Sequence, residues 1–530
     1  MIVVKKWSVI AILSVSQFVM VLDSTVMNVS ISNVVSDLHT SVNAMQAAIT
    51  FYTLTMAALM LIGAKIAGKI GLLKAFAVGS VIYGLGSLIT GVSQNVWQLI
   101  LGWSFIEGIG AVLVIPAIAA LVAVHYKGKD RITAYAIIGG ISGVAAAAGP
   151  LIGGVATTYL SWRYVFIAET VIMLVVLILS RTFNKTTVTN TESVDIPSSI
   201  LSASGMAILV FGMLQSKTWG WVEPITKPVL YGREIAPLGI SIVAYMILAG
   251  IILLWFFYDR QKNLEFARKN PLVHVSMLKS PQLRSGLGVL TAQYLITGAI
   301  FFVGPIYLQM VQGLDSMKTG IKILPLSLAL IIFSIAGSRL VRWLSPKAIV
   351  RSGQLLLIFG AVFFLAAVNA NFTGWTFALS MFALGAGLGM LASQVGNVTM
   401  STVSEEKSNE VGGLQGALQN FGSSLGTALI GSVLIASLTT GFLNSVAKSS
   451  LPPSTITTIQ TNTKTTEIVP VDQVANLAES EGASPTEAQQ IASLYKSSQL
   501  NALKEALFFM IVLSLFTLPL SRNMPNKALR

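Results

Sequence analysis

The chain has no cysteine at all. That excludes disulfides, thiolate metal sites and cysteine nucleophiles. Three histidines, His39, His125 and His274, fall in or near three separate loops and leave little for a histidine-based site. Charge is scarce too: 10% of the 530 residues are charged, against roughly 25% in a soluble domain. No stretch reads G-x-x-x-x-G-K-[ST], which disfavours ATP-driven chemistry by this chain alone. A membrane glycosyl or acyl transferase would need acids or a histidine gathered at one membrane face, or a Ser/His pairing, and no loop carries paired carboxylates. An enzyme is therefore only a remote alternative, and neither a cofactor nor a metal site is expected.

What is abundant is apolar sequence, 54% of the chain, with a mean hydropathy of +0.76. Apolar windows about 20 residues long recur fourteen times, at roughly 7–29, 45–64, 73–93, 97–118, 133–157, 163–181, 198–216, 237–257, 286–311, 320–337, 348–367, 372–395, 411–437 and 502–521. Backbone groups cannot stay unpaired in hydrocarbon, and nothing alternates with the period of a barrel strand, so all fourteen are predicted to be helices. The fold class is an all-α polytopic membrane protein. Two lysines before the first run suggest a signal peptide, but the run is too long and carries Asp23, so it is expected to be retained.

Basic residues set the orientation. Of 34 Lys and Arg, about 24 lie on the side of the N-terminus, which carries Lys5 and Lys6, and about 10 on the other. The inner loops hold Lys65, Lys69 and Lys74, then Lys127, Lys129 and Arg131, then Arg260, Lys262, Arg268 and Lys269, then Arg339, Arg342, Lys347 and Arg351. Both termini are predicted cytoplasmic, in a multi-pass protein of a bacterial plasma (inner) membrane. The net charge of +13 then reads as topology and as contact with anionic membrane lipids, not as a nucleic-acid surface.

Two loops are long. Residues of about 258–285 form a basic cytoplasmic linker after the eighth span; residues 438–500 form an external loop rich in Ser and Thr, with Ala, Glu, Gln and Leu enough for a helix from Asp472 to Lys496. Gly139, Gly140, Gly143, Gly149 and Gly153 recur as Gly412, Gly413, Gly416, Gly422 and Gly426, an offset of 273 residues. The repeat pairs the fifth span with the thirteenth. It divides the chain into a six-helix bundle at 1–185, a two-helix insert with the linker at 186–285, and a second six-helix bundle at 286–530.

Only three acids lie inside spans: Asp23, Glu107 and Glu169. Buried carboxyls in a membrane must be protonated, paired or open to water, which makes them candidates for proton or cation coupling. Glu169 lies near enough to the outer surface to reach water or Arg163, so it also has a plain structural reading. Asn28, Gln46, Tyr52, Gln293, Tyr294, Gln309 and Gln394 are candidates to line a substrate cavity, or else to bond between helices. In the fifth span Gly139/Gly143 and Gly149/Gly153 each form G-x-x-x-G for close helix packing, and Pro150 favours a kink.

Gly149-Pro150-Leu151-Ile152-Gly153-Gly154 resembles the antiporter motif of the major facilitator superfamily. Leu22-Asp23-Ser24-Thr25-Val26-Met27-Asn28-Val29 resembles the first-helix motif of its fourteen-helix drug:proton antiporter branch. Ser161-Trp162-Arg163-Tyr164-Val165-Phe166 and Pro305-Ile306-Tyr307-Leu308-Gln309 through Gly313 are similar to that branch as well. The resemblance implies the major facilitator fold, with fourteen transmembrane helices arranged as 6+2+6. Two motifs depart from it. The loop that reads G-x-L-A-D-R-x-G-R-K in relatives keeps only Lys69 and Gly71 as candidate gating residues, with Gly68 in place of the acid. The fourth helix carries Ser104-Phe105-Ile106-Glu107-Gly108 where R-x-x-Q-G is usual: Ser104 replaces the arginine and Glu107 the glutamine, so a motif that supplies a buried cation in relatives supplies a carboxylate here.

The functional expectation is a monomeric, proton-coupled exporter of amphipathic cationic or neutral compounds, working by alternating access and drawing on the proton gradient. Its partners would be a small-molecule substrate, protons and anionic lipids. The alternative keeps the fold and changes the cargo to a lipid, an endogenous metabolite or a nucleotide.

Overall fold

A computed structural model describes residues 7–183, 194–230, 233–369, 374–402, 408–462 and 467–526. Lys5 and Lys6 lie outside them, and the side chains of Lys129 and Arg131 are likewise outside what is described. Thirteen helices are long and apolar enough to cross a membrane, and a bent pair makes a fourteenth. In chain order they are α1 (Ser8–Val29), α2 (Val42–Ile70), α3 (Leu72–Gly91), α4 (Val96–His125), α5 (Gly128–Tyr159), α6 (Trp162–Ser180) and α7 (Ile196–Trp219). Then follow α8 (Ile242–Phe266), α9 (Pro281–Val311), α10 (Ser316–Leu340), α11 (Pro346–Ala367), α12 (Gly374–Ser401), α13 (Ser408–Ala447) and α14 (Pro485–Thr517).

Short polar side chains start these helices. Ser41, Asn95, Ser161, Asp195, Ser280, Asp315 and Ser345 each accept a hydrogen bond from a first-turn amide, which satisfies a donor the helix itself leaves free. A cap of this kind also accounts for a departure from the sequence reading. Ser484 and Glu487 form a reciprocal capping box, so α14 begins at Pro485, far upstream of the apolar run. With α13 continuing to Ala447, most of the expected 438–500 loop is helix. The helix expected from Asp472 to Lys496 is instead a short one at Val474–Ser480 followed, after a break, by the start of α14.

Helices α1 and α5 pack together, as do α3 with α4 and α6. Later in the chain α9 packs on α13, and α12 on both α10 and α11. Gly149 and Gly153 of α5 lie against Thr25 and Val26 of α1; Gly422 and Gly426 of α13 lie against Thr291 and Leu295 of α9 in the same way. Helices α7 and α8 pack on each other, and α7 also lies against α2 and α13.

Two seams join the first six helices to the last six, α2 with α13 and α5 with α10. Toward the outer face the second seam is shut. Ser316 Oγ donates to Val29 O at 3.0 Å and to Asn33 Oδ1 at 2.8 Å, and Met317 N donates to Thr158 Oγ1 at 3.0 Å. Toward the inner face α5 bends by 42° between its two segments, 137–146 and 148–159. A side chain added at Gly139, Gly140 or Gly143 would meet nothing within 4 Å. The first G-x-x-x-G therefore borders open space in this conformation, and only the second makes the close contact expected of both. The α5–α10 seam is thus closed at its outer end, while at these three glycines the inner half of α5 has no close neighbour.

Candidate functional site

The three intramembrane acids, far apart in sequence, converge. Asp23 of α1, Glu107 of α4 and Glu169 of α6 each offer a carboxylate oxygen, and these oxygens lie within 4.8 Å of one another. All three side chains are buried, at 0%, 0% and 1% exposure. The expected contact between Glu169 and Arg163 does not form. Arg163 pairs with Asp37 and donates from Nη2 to Ser93 O at 2.6 Å, at the outer end of the bundle.

Local structure explains the convergence. Residues Ile100–Glu107 of α4 are π-helical, a geometry that inserts an extra residue into the turn and recurs at functional sites. A Cβ at Gly86 of α3 would stand 2.5 Å from Glu107 N, so only glycine lets the two backbones approach and brings Glu107 against α3. From α3 the site receives Tyr83 and Ser87, four residues apart on one face; Ser87 Oγ donates to Glu169 Oε2 at 3.4 Å. From α4 comes Trp103, whose Nε1–H is shared between Asp23 Oδ1 at 2.9 Å and Oδ2 at 3.0 Å. Tyr52 of α2 stacks on Trp103, ring centroids 4.8 Å apart and planes 10° from parallel.

Among the described residues, five buried oxygens here have no hydrogen-bond partner: both of Glu107, Oε1 of Glu169, and the hydroxyls of Tyr52 and Tyr83. Buried polar atoms are nearly always paired, so this concentration sets the site apart from the rest of the bundle interior. These carboxyls are the groups that a proton or another cation would meet.

The other sequence candidates scatter. Asn28 Nδ2 donates to Ser24 O of its own helix at 2.6 Å. Three glutamines expected to line a cavity are ties between helices, because an amide buried among helix backbones finds a carbonyl first. Gln46 Nε2 donates to Thr427 O at 3.1 Å and its Oε1 accepts from Lys217 Nζ at 2.7 Å. Gln309 Nε2 donates to Val29 O at 2.6 Å while its Oε1 accepts from Ser32 N, and Gln394 Nε2 donates to Gly337 O at 3.0 Å. Gln293 has an unpartnered buried Oε1, and its neighbour Tyr294 is half-buried on α9.

The glycine motif lies between two helices. A Cβ at Gly149 would collide with Thr25 Oγ1, two residues from Asp23, whereas one at Gly154 would stand 2.7 Å from Ser316 O of α10. The motif therefore touches the acid-bearing helix on one side and the second bundle on the other. Pro150 O lies against Gly320 of α10 at the same level. At the inner face Lys69 is exposed at the end of α2, and Gly71 turns the chain into α3 with φ +96°, which favours glycine.

Sequence reading missed Trp103, Tyr83 and Ser87. A tryptophan four residues before Glu107 was the available signal, since a buried indole N–H needs an acceptor on a neighbouring helix.

Comparison with known proteins supplies the family. The Major Facilitator Superfamily matches residues 13–427. The tetracenomycin C resistance and export protein of Streptomyces glaucescens is 26% identical over 457 residues, covering 84% of this chain and 79% of that protein. The puromycin resistance protein of Streptomyces alboniger is 26% identical over 443 residues, covering 81% and 82%. Among solved structures, a bacterial homologue of the human lysosomal transporter Spinster, inward-facing and unoccupied, superposes with a TM-score of 0.59 at 15% identity, covering 98% of this chain and 97% of that one. The chain is a multi-pass transporter of the bacterial plasma membrane and not an enzyme, and it belongs to the Major Facilitator Superfamily.

Proposed function

We propose that this transporter is a proton-coupled exporter of amphipathic, cationic or neutral compounds, and that Asp23, Glu107 and Glu169 are its coupling site. The observation that carries the reading is three buried carboxyls within 4.8 Å of one another, with three of their own oxygens and two neighbouring tyrosine hydroxyls unpartnered. Three like charges so close and so far from water repel strongly, so the cluster trades protons as its access to water changes. The export direction is supported by the drug-resistance names of the relatives.

All three acids lie inside the first bundle and are buried, on helices other than the α5–α10 seam. Coupling between proton and cargo would then run through packing. Asp23 would change the position of α1, Thr25 would press on Gly149, and α5 would move against α10. Cargo charge is then not dictated by the acids.

Proteoliposomes with an imposed pH gradient test the reading, using ethidium beside a neutral and an anionic compound. Glu107→Gln should abolish proton-driven uptake, and a sodium gradient alone should drive none. Undiminished transport by Glu107→Gln, or transport driven by sodium without a pH gradient, overturns it.

A further inference from the structure

We infer that Trp103 is the positioning residue of the coupling site, holding the Asp23 carboxylate through its indole N–H. This rests on the proton reading above and assigns a role that neither the motifs nor the relatives' names contain.

Trp103 is fully buried and lies in the π-helical turn that ends at Glu107. Four residues separate the two side chains, so both project from the same side of α4 toward α1. An indole nitrogen only donates, and here its single proton is divided almost equally between the two Asp23 oxygens. The ring cannot turn away, because Tyr52 lies flat on it. The direction of the N–H is thus fixed by α2 and its position by α4, while its acceptor rides on α1. A phenylalanine could also stack on Tyr52, though it would leave part of the indole's space empty, and it would lack the N–H.

The other groups around Asp23 are Tyr52 from α2, Glu107 from α4 and Glu169 from α6, with Tyr83 and Ser87 from α3 beside the two glutamates. Helix α5 contributes glycine backbone against Thr25 and no titratable group there. In this setting Trp103 is the group that donates to the Asp23 carboxylate with hydrogen-bond geometry. A donor aimed at a carboxylate favours its ionised form, and removing it makes the proton bind more tightly.

The test uses the purified full-length protein. The Asp23 carboxyl infrared band is identified by its loss in Asp23→Asn and followed against pH. In Trp103→Phe its midpoint should move upward by about one pH unit, a tenfold tighter hold on the proton. Tyr52→Phe, which keeps the stack, should move it less. An unmoved midpoint in a folded Trp103→Phe protein overturns the inference. Should that variant fail to fold, the wild-type protein decides: tryptophan emission should show a pH-dependent step that Asp23→Asn lacks, and identical emission titrations in the two proteins overturn the inference. The two readings fail separately. Proton-driven transport that survives Glu107→Gln removes the coupling site, whereas an unmoved midpoint beside a dead Glu107→Gln removes only the role of Trp103.

Discussion

Glu107 lies where α4 changes its helical register, and Gly86 leaves room for its backbone. Three acids could be picked from the sequence because carboxyls are rare and costly inside apolar runs. Their meeting could not, since periodicity says which residues share a face of one helix and nothing about which faces of α1, α4 and α6 turn to each other. Glu169 shows this best: its depth suggested water or Arg163, and the packing of α6 placed it beside Ser87 instead. The cluster predicts graded effects. Asp23→Asn and Glu107→Gln should each lower proton-driven transport at least tenfold, whereas Ser87→Ala, which removes one long hydrogen bond, should lower it less than threefold, as read from initial rates in proteoliposomes.

The glycines of α5 divide by what stands opposite them. At Gly149 an added methyl group meets Thr25, and overpacking of this kind costs about 1–3 kcal/mol. Gly149→Ala should lower the melting temperature and transport together, and Thr25→Ala in the same chain should restore part of both. Gly140→Ala borders open space, so its melting temperature should hold or rise; a loss of transport without loss of stability would show that this stretch closes in another state. Helix α7 offers a contrast with the coupling site. Asp195 caps it and accepts two bonds of 2.8 Å from Arg260 of α8, which hold its carboxyl well below the usual carboxylate range. Stability from a depressed carboxyl is present above its unfolded value and is lost only as pH falls through the folded one. The clip should therefore be intact from pH 5 to 8. Asp195→Ala should cost about 1 kcal/mol from the lost cap while leaving the pH profile of transport in place.

At the scale of the molecule, the outer closure rests on a few bonds between ends of helices, from Ser316, Met317 and Gln309 to Val29, Asn33 and Thr158. The absence of native cysteine makes the seam testable. A Thr158→Cys, Met317→Cys pair should cross-link under mild oxidant, stop transport, and recover on reduction; free turnover of the cross-linked protein would show that the α5–α10 seam need not open. The fourteen helices, their order and the basic inner loops follow from the sequence itself, because length, hydropathy and Lys/Arg bias act on each segment separately. The extent of α13 and α14 beyond the bilayer, the seams, the contact of Gly149 with Thr25 and the three-acid cluster needed the tertiary structure. Each depends on how one helix is rotated against another, and that rotation is set by packing across residues hundreds of positions apart.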